Sequence, residues 1–293
     1  MNGNSDLKLL FVINPVAGSN NSSWQDIIIK YFTGKSFQLD FYTLEENPGI
    51  EKLKRHIGEL KPDRVIAVGG DGTVTMLARL IAGSNMALGI LPSGSANGMA
   101  KELNIPEVPE EALAIIENAH VKCCDAIRIN DSEICLHLSD IGLNAQLIKY
   151  FDEGKLRGKW GYARVILKTL WRKRKMQVNI KRKNDEIRRD AFMIVLANAS
   201  KYGTGAVINP EGKLDDGLFE VVVVRKLALS ELLKMFFRPQ PFNPHKIEVF
   251  HATTMKIATR KKVHFQIDGE YKGKINKIEA VILPHYINVI LRP

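Results

Sequence analysis

Along the first ~127 residues the hydrophobic positions switch repeatedly between two periods. The runs "LKLLFVI", "FQLDFYT", "RVIAV" and "ALGIL" are short and rich in β-branched and aromatic residues, and they predict strands. Between them, residues 21–33, 49–60 and 73–82 carry apolar residues at helical spacing, as in Ile50, Leu53, Ile57 and Leu60, or Val74, Leu77, Leu80 and Ile81. Strands alternating with helices in this way imply a parallel sheet covered by helices. Ligands of such sheets bind beyond the carboxyl ends of the strands.

From about residue 122 the pattern changes. "CDAIRI", "EICLHLSDIG", "MQVNIKRK", "AFMIVLAN", "LFEVVVV", "KIEVFHA", "MKIAT", "VHFQI", "KIEAVIL" and "INVIL" are short strand-like runs separated by Gly, Asn, Asp or Pro. Their density predicts an antiparallel, sandwich-like β-rich domain, with helical exceptions at 160–174 and 229–237. The boundary falls between an α/β domain, 1–127, and a β-rich domain, 128–293. Without a long linker the two are expected to be close-coupled, with a cleft between them.

Polar turns recur where the first domain's strands end. "NPVAGSN" follows the first strand, Thr43 ends the second, "GGDGT" follows the third and "PSGSAN" the fourth. A glycine turn opening a helix offers free N–H groups and the positive end of the helix dipole, which suits phosphate. The Asp71 carboxylate in GGDGT repels phosphate unless a cation lies between them, and Mg²⁺ bridging the two, through ordered water, resolves the conflict. The plainer alternative for GGDGT is a strand-to-helix turn with Asp71 or Thr73 as an N-cap, and the recurrence of polar turns at the same end of the sheet favours the phosphate reading over it. The dinucleotide fingerprint G-x-G-x-x-G is missing from the first turn, and a Walker motif is missing throughout, so this is a phosphate site of another type.

Composition narrows the setting. The apolar fraction is 45% and the charged fraction 25%, ordinary for a globular protein. No apolar run approaches the ~20 residues of a membrane span, and no secretory signal is apparent, so the expected location is cytoplasmic. Cys123, Cys124 and Cys135 form neither a disulfide framework nor a zinc spacing and read as reduced core residues. The net charge of +10 is uneven: between Lys149 and Arg189, 15 Lys/Arg stand against 4 Asp/Glu, so this segment accounts for the whole excess. Such a surface attracts nucleic acid, anionic membrane or acidic substrates. No helix-turn-helix, zinc or RNP-type pattern accompanies it, which sets nucleic acid aside.

Five stretches, "NPVAGS", "GGDGTVT", "LPSGSANGMAKELNIP", "PEGKLDDGLFEVVVV" and "FQIDGE", occur in the order seen in the diacylglycerol kinase catalytic family, which the chain resembles over nearly its whole length. That family includes bacterial lipid kinases and sphingoid-base kinases. GGDGT alone is also found in NAD kinases and phosphofructokinases. The resemblance implies a nucleotide-binding α/β domain of NAD-kinase or phosphofructokinase type, a β-rich lipid-substrate domain, and Mg-ATP in the cleft. It implies ATP-binding positions at Asn14, Gly18, Thr43, Gly69, Gly70, Asp71, Gly72, Thr73, Val74, Thr75 and Ser95. It also implies a structural metal site in KLDDGL, with the Asp216 carboxylate and the carbonyls of Lys213 and Leu218. Without the resemblance, Asp216-Gly217 is equally a tight turn, and Asp268-Gly269 equally a hairpin signal. In the family the glutamate of IDGE resembles the base that accepts the lipid hydroxyl proton, which makes Glu270 the catalytic carboxylate beside Asp71. Closure of the domains would then bring Glu270 to the phosphate.

One departure stands out. Many diacylglycerol kinases read G-T-x-N-D where this chain has Gly94-Ser95-Ala96-Asn97-Gly98, so an aspartate is absent at Gly98 and Ser95 is closer to the sphingoid-base style. The implied activity is an ATP- and Mg²⁺-dependent lipid kinase of phospholipid metabolism acting on a diacylglycerol-like hydroxyl. The alternatives are a sphingoid-base kinase, a soluble-substrate kinase such as an NAD kinase, and a non-catalytic lipid-binding protein on the same scaffold. Within the basic segment 155–175, residues 160–175, "WGYARVILKTLWRKRK", place Trp and Arg/Lys on neighbouring sides of a helix. That helix either packs on the β-rich domain with a solvated flank or lies on the inner membrane surface, where the enzyme would associate peripherally. The oligomeric state is left open, a homodimer included.

Overall fold

The apolar runs of the first half are strands buried on both faces. In a computed structural model, which describes residues 7–17, 24–45, 49–152, 175–182, 185–201, 207–226, 231 and 242–292, the chain divides into two units. One comprises Met1–Cys124 with His285–Pro293, and the other Asp125–Pro284.

The first unit contains β1 (Leu7–Ile13), α1 (Trp24–Phe32), β2 (Phe37–Thr43), α2 (Ile50–Leu60), β3 (Arg64–Gly69), α3 (Asp71–Ile81), β4 (Ala87–Pro92), α4 (Gly98–Glu102) and α5 (Pro109–Asn118). Its strands pair in parallel in the order β2-β1-β3-β4. The continuous hydrophobicity of "LLFV" and "VIAVG" follows from this, since parallel strands are covered on both sides. Leu9 to Val12 and Val65 to Val68 are fully buried, with Ile28 and Phe32 of α1, Leu77 and Ile81 of α3, and Leu113 of α5 among the buried helix residues. The three helical spacings read from the sequence correspond to α1, α2 and α3. Helix α5 carries its own signals, Pro109 in the first turn with Glu110 and Glu111.

The chain leaves through β5 (His120–Ile129) and builds the second unit from β6 (Glu133–Cys135), β7 (Leu138–Gly142), α6 (Leu143–Asp152), β8 (Met176–Lys181), β9 (Glu186–Ala191), β10 (Met193–Ala197), β11 (Phe219–Val224), β12 (Ile247–Ala252), β13 (Thr254–Ile267) and β14 (Glu270–Leu291). Strands β12-β11-β10-β7-β13-β14 pair antiparallel, β8 lies on β13, and β9 lies on β8. Strands β10 and β11 bury both faces: Ile194, Leu196, Phe219, Val221 and Val223 enter one core cluster, while Val195, Ala197, Val222 and Val224 enter another. The fold class is therefore a parallel α/β unit followed by an antiparallel β-rich one.

Several local readings change. "MKIAT" and "VHFQI" are one strand, β13, because the intervening "RKK" contains no Gly or Pro to turn the chain, and the mismatch is absorbed by register shifts. "KIEAVIL" and "INVIL" likewise join within β14, where His285 adopts φ 51°. Asn288 and Val289 then pair in parallel with Ala87 and Leu88 of β4, so the chain's last residues return to the first unit. A single boundary after residue 127 carries no signal of that return. Cys124 and Cys135 are buried, whereas Cys123 is partly exposed and no core residue. The helices expected at 160–174 and 229–237 fall outside the described residues, apart from Glu231.

Candidate active site

At the carboxyl edge of the parallel sheet the turns are fastened to one another. The Asn14 amide donates from Nδ2 to Thr73 Oγ1 at 3.1 Å, and its Oδ1 accepts from the Val16 N–H, so the first turn is tied to the first turn of α3. Gly69 faces Thr73 so closely that a Cβ there would lie 2.4 Å from Thr73 Oγ1. Gly94 lies against Gly70, where an added Cβ would come within 2.5 Å of the Gly70 Cα. Glycine is required at both positions by this approach, and the Ser93 N–H donates to the Gly69 carbonyl beside it. Asn97, left-handed at φ 50°, holds the fourth turn: its Oδ1 accepts from the Gly94 N–H at 2.9 Å and its Nδ2 donates to the Gly94 carbonyl at 2.8 Å.

Asp71 occupies the centre of this arrangement. Its two carboxylate oxygens accept the backbone N–H groups of Gly98 at 2.9 Å and Met99 at 3.0 Å, the first residues of α4. The acidic residue in a phosphate-type turn thus has a structural function that spacing did not reveal. It closes the amino end of α4 and fixes the PSGSAN turn against GGDGT. Each carboxylate oxygen has lone pairs beyond these bonds, so one hard cation can still be taken there.

The remaining nucleotide positions are placed unevenly. Thr73 and Val74 are buried, so Val74 can reach a ligand only through its backbone. Gly72 and Ser95 are exposed and Thr75 partly so. Thr43 ends β2 on the rim of a separate 450 Å³ depression lined by Tyr42, Arg55 and His56. Gly18 lies outside the described residues. Ser93 Oγ, which the sequence did not single out, is buried and without a partner among the described residues.

In the second unit, Asp268 and Gly269 form a two-residue turn with φ of 48° and 87°, which closes on the pair Ile267 and Glu270. The hairpin reading and the motif reading of IDGE both describe it. The Asp268 carboxylate accepts the N–H groups of Leu136, His137 and Leu138 at 2.9–3.1 Å and the Cys135 thiol. Desolvation raises its pKa above the ordinary carboxylate range despite these donors, and burial pushes the Cys135 thiol well up. Gln266 adds a second clamp: its Oε1 accepts the Gly269 N–H at 2.8 Å while its Nε2 donates to the buried Asp140 at 2.6 Å. Glu270 therefore projects from a fixed hairpin. It is about half exposed and paired with Lys272 at 2.9 Å.

Asp268→Ala leaves three backbone donors without an acceptor and puts an alanine at positive φ. The expected loss is at least about 3 kcal/mol, or roughly 6–12 °C in Tm, with Asp268→Asn in between. Thermal unfolding of the two variants checks this, and an unchanged Tm for the alanine contradicts it.

The KLDDGL turn hangs on a residue that sequence reasoning missed. Buried Asp125 accepts the Gly217 N–H at 2.7 Å, and its own N–H donates to the Leu214 carbonyl. Asp216 Oδ1 accepts the Leu218 N–H at 3.0 Å within the turn. The carbonyls of Lys213 and Leu218 accept no hydrogen bond among the described residues, which leaves them, with the Asp216 carboxylate, as oxygen donors of the type a hard cation takes. Among the described residues no group of three or more His, Cys, Asp or Glu is placed to hold a metal ion. Behind the turn, burial raises the Glu220 carboxyl above its usual range. Asp125, Asp140 and Asp268 share one signal, a lone acid within or beside an apolar strand. A buried carboxylate persists only where donors satisfy it.

Comparison with known proteins places the chain in a family. Residues 8–129 match the diacylglycerol kinase catalytic domain, and residues 139–291 the YegS C-terminal NAD kinase beta sandwich-like domain. A "Probable lipid kinase YegS-like" of Pectobacterium atrosepticum is 30% identical over 269 residues, 87% of this chain and 88% of the relative. A "Diacylglycerol kinase" of Staphylococcus saprophyticus is 24% identical over 90% of this chain and 89% of its own. Among solved structures, a diacylglycerol kinase from Bacillus anthracis superposes with a TM-score of 0.77 at 20% identity, covering 98% of this chain and 97% of that one. An NAD kinase from Archaeoglobus fulgidus in complex with ATP gives 0.54 at 12% identity, covering 97% and 93%. With both halves matched in this order, the chain belongs to the diacylglycerol kinase catalytic family of lipid kinases, enzymes that phosphorylate an alcohol group.

Proposed function

We propose that this chain transfers the γ-phosphate of ATP, with Mg²⁺, to the hydroxyl of a diacylglycerol-like lipid. The observation that carries the reading is the locked set of turns at the carboxyl edge of the first unit, where Gly69, Gly70 and Gly94 keep side chains away from a helix amino terminus. There the free N–H groups of α3 would bind phosphate oxygens, and Asn14 with Thr73 would keep the first turn in register with them. Asp71, and in the second unit Asp216 with the Lys213 and Leu218 carbonyls, would hold Mg²⁺. When bound beside Asp71, the ion supplies positive charge that offsets the phosphates. Phosphoryl transfer depends mostly on such positioning and neutralisation. As the lipid oxygen bonds to the γ-phosphorus and the bond to ADP breaks, Glu270 would take the hydroxyl proton.

A sphingoid base is the second reading, favoured by Ser95 after Gly94. Peripheral association with the inner membrane surface, through the basic segment 155–175, belongs to the same proposal. All of that segment except Lys175 lies outside the described residues. No helix among the described residues is long and apolar enough to cross a membrane.

Incubation of the purified protein with labelled ATP, Mg²⁺ and a mixed lipid extract tests the proposal through the identity of the product. A labelled glycerolipid supports it, and a labelled sphingoid base moves the substrate class. A water-soluble labelled product, or nucleotide binding without transfer, overturns it.

A further inference from the structure

The β9-β8-β13 part of the second unit carries a feature outside the residues assigned above to the reaction. A groove of 710 Å³ there is lined by Lys175, Arg188, Arg189, Arg225, Lys226 and Arg260, against a single acid, Asp190. Strand register places part of its lining. Arg188, Asn179 and Ala258 lie side by side across β9, β8 and β13, so two short side chains line the groove beside a long cation. The next row, Glu186, Lys181, Lys256 and Glu279, places an acid at each end and is balanced. Like charges gathered across neighbouring strands without acids are destabilising on their own.

Compensation inside the groove is partial. Glu248 accepts from both Arg189, at 2.9 Å, and Arg225, at 2.5 Å, so one carboxylate serves two guanidinium groups and holds them in place. Among the described residues the side chains of Arg188, Lys226 and Arg260 have no acidic partner, and all three residues are exposed. A low-dielectric trough lined by one sign of charge concentrates counter-ions, and arginine suits phosphate oxygens in particular.

We propose that this groove binds the phosphate of an anionic phospholipid headgroup, giving the second unit a membrane-contact site apart from the turns that hold nucleotide. Only the choice of a membrane as the source of phosphate rests on the lipid-kinase reading. The charge and shape of the groove stand without it.

Flotation of the full chain with phosphatidylcholine vesicles, with and without phosphatidylglycerol, tests the proposal. Wild type is expected to float only with phosphatidylglycerol. Arg188→Gln/Lys226→Gln/Arg260→Gln is expected to lower that partition roughly 100-fold, at the usual contribution of one basic residue near an anionic surface. A charge-matched variant of exposed residues on the first unit, Lys30→Gln/Lys54→Gln/Lys61→Gln, is expected to keep it. Equal loss in both variants, or no loss in the first, overturns the proposal. Binding of inorganic phosphate that the first variant abolishes, with no flotation of the wild type, overturns the lipid source. Phosphotransfer to detergent-dispersed lipid, read in parallel, is expected to be unchanged in the first variant. Absence of transfer in the wild type would overturn the kinase reading, while flotation would still decide the groove.

Discussion

Asp71→Asn is expected to lower phosphotransfer by roughly 10²–10³-fold while leaving Tm close to that of the wild type. The estimate follows from what asparagine keeps and loses. Its Oδ1 can still accept from the Gly98 or the Met99 N–H, so the amino end of α4 retains one of its two bonds. The negative charge is removed, and with it the means of holding a divalent cation beside the phosphates, an effect comparable to deleting one preorganised electrostatic group. Asp71→Ala removes both bonds as well and is expected to cost about 0.5–2 kcal/mol of stability, as other lost helix caps do. Steady-state rates and thermal unfolding of the two variants separate charge from capping. Full activity in the asparagine variant would show that Asp71 only closes the helix.

Glu270→Gln carries the second large effect, a fall in kcat of about 10²–10⁴-fold, the usual contribution of a positioned proton acceptor. The nucleotide turns lie in the other unit, so ATP affinity is expected to stay unchanged. The residue is about half exposed and among the described residues pairs with Lys272. Such surface pairs contribute about 0–1 kcal/mol, so Tm is expected to move little. The clamps that fix its hairpin, Asp268 on three amides and Gln266 on Gly269, are untouched by the change. Single-turnover rates at saturating ATP check the prediction, and an unchanged rate would assign the proton to another group.

Much of this molecule is legible in the order of its residues. Continuous apolar runs such as "LLFV" belong to strands covered on both faces, and the helical spacing of α1 to α3 marks what covers them. Asp268-Gly269 declares its turn because both residues tolerate positive φ. Less legible is anything that depends on which turns meet in space. Gly70 and Gly94 are 24 positions apart by number, and only the sheet's parallel order brings their backbones into contact. The same holds for Asp71, whose spacing within GGDGT says nothing about amides 27 and 28 residues further on. Asp125 looked like one polar residue in a strand until the fold set it beneath the KLDDGL turn. The groove lined by Arg188, Asn179 and Ala258 also depends on the pairing of three strands, although the charge excess that feeds it is visible in the composition.

The most direct test of the account is transfer of label from ATP to lipid by the wild-type chain before and after removal of divalent metal. Transfer that stops on chelation and returns when Mg²⁺ is restored is the predicted result. Undiminished transfer by exhaustively metal-depleted protein would contradict the central claim, that a cation lets the Asp71 turn and a triphosphate share one site.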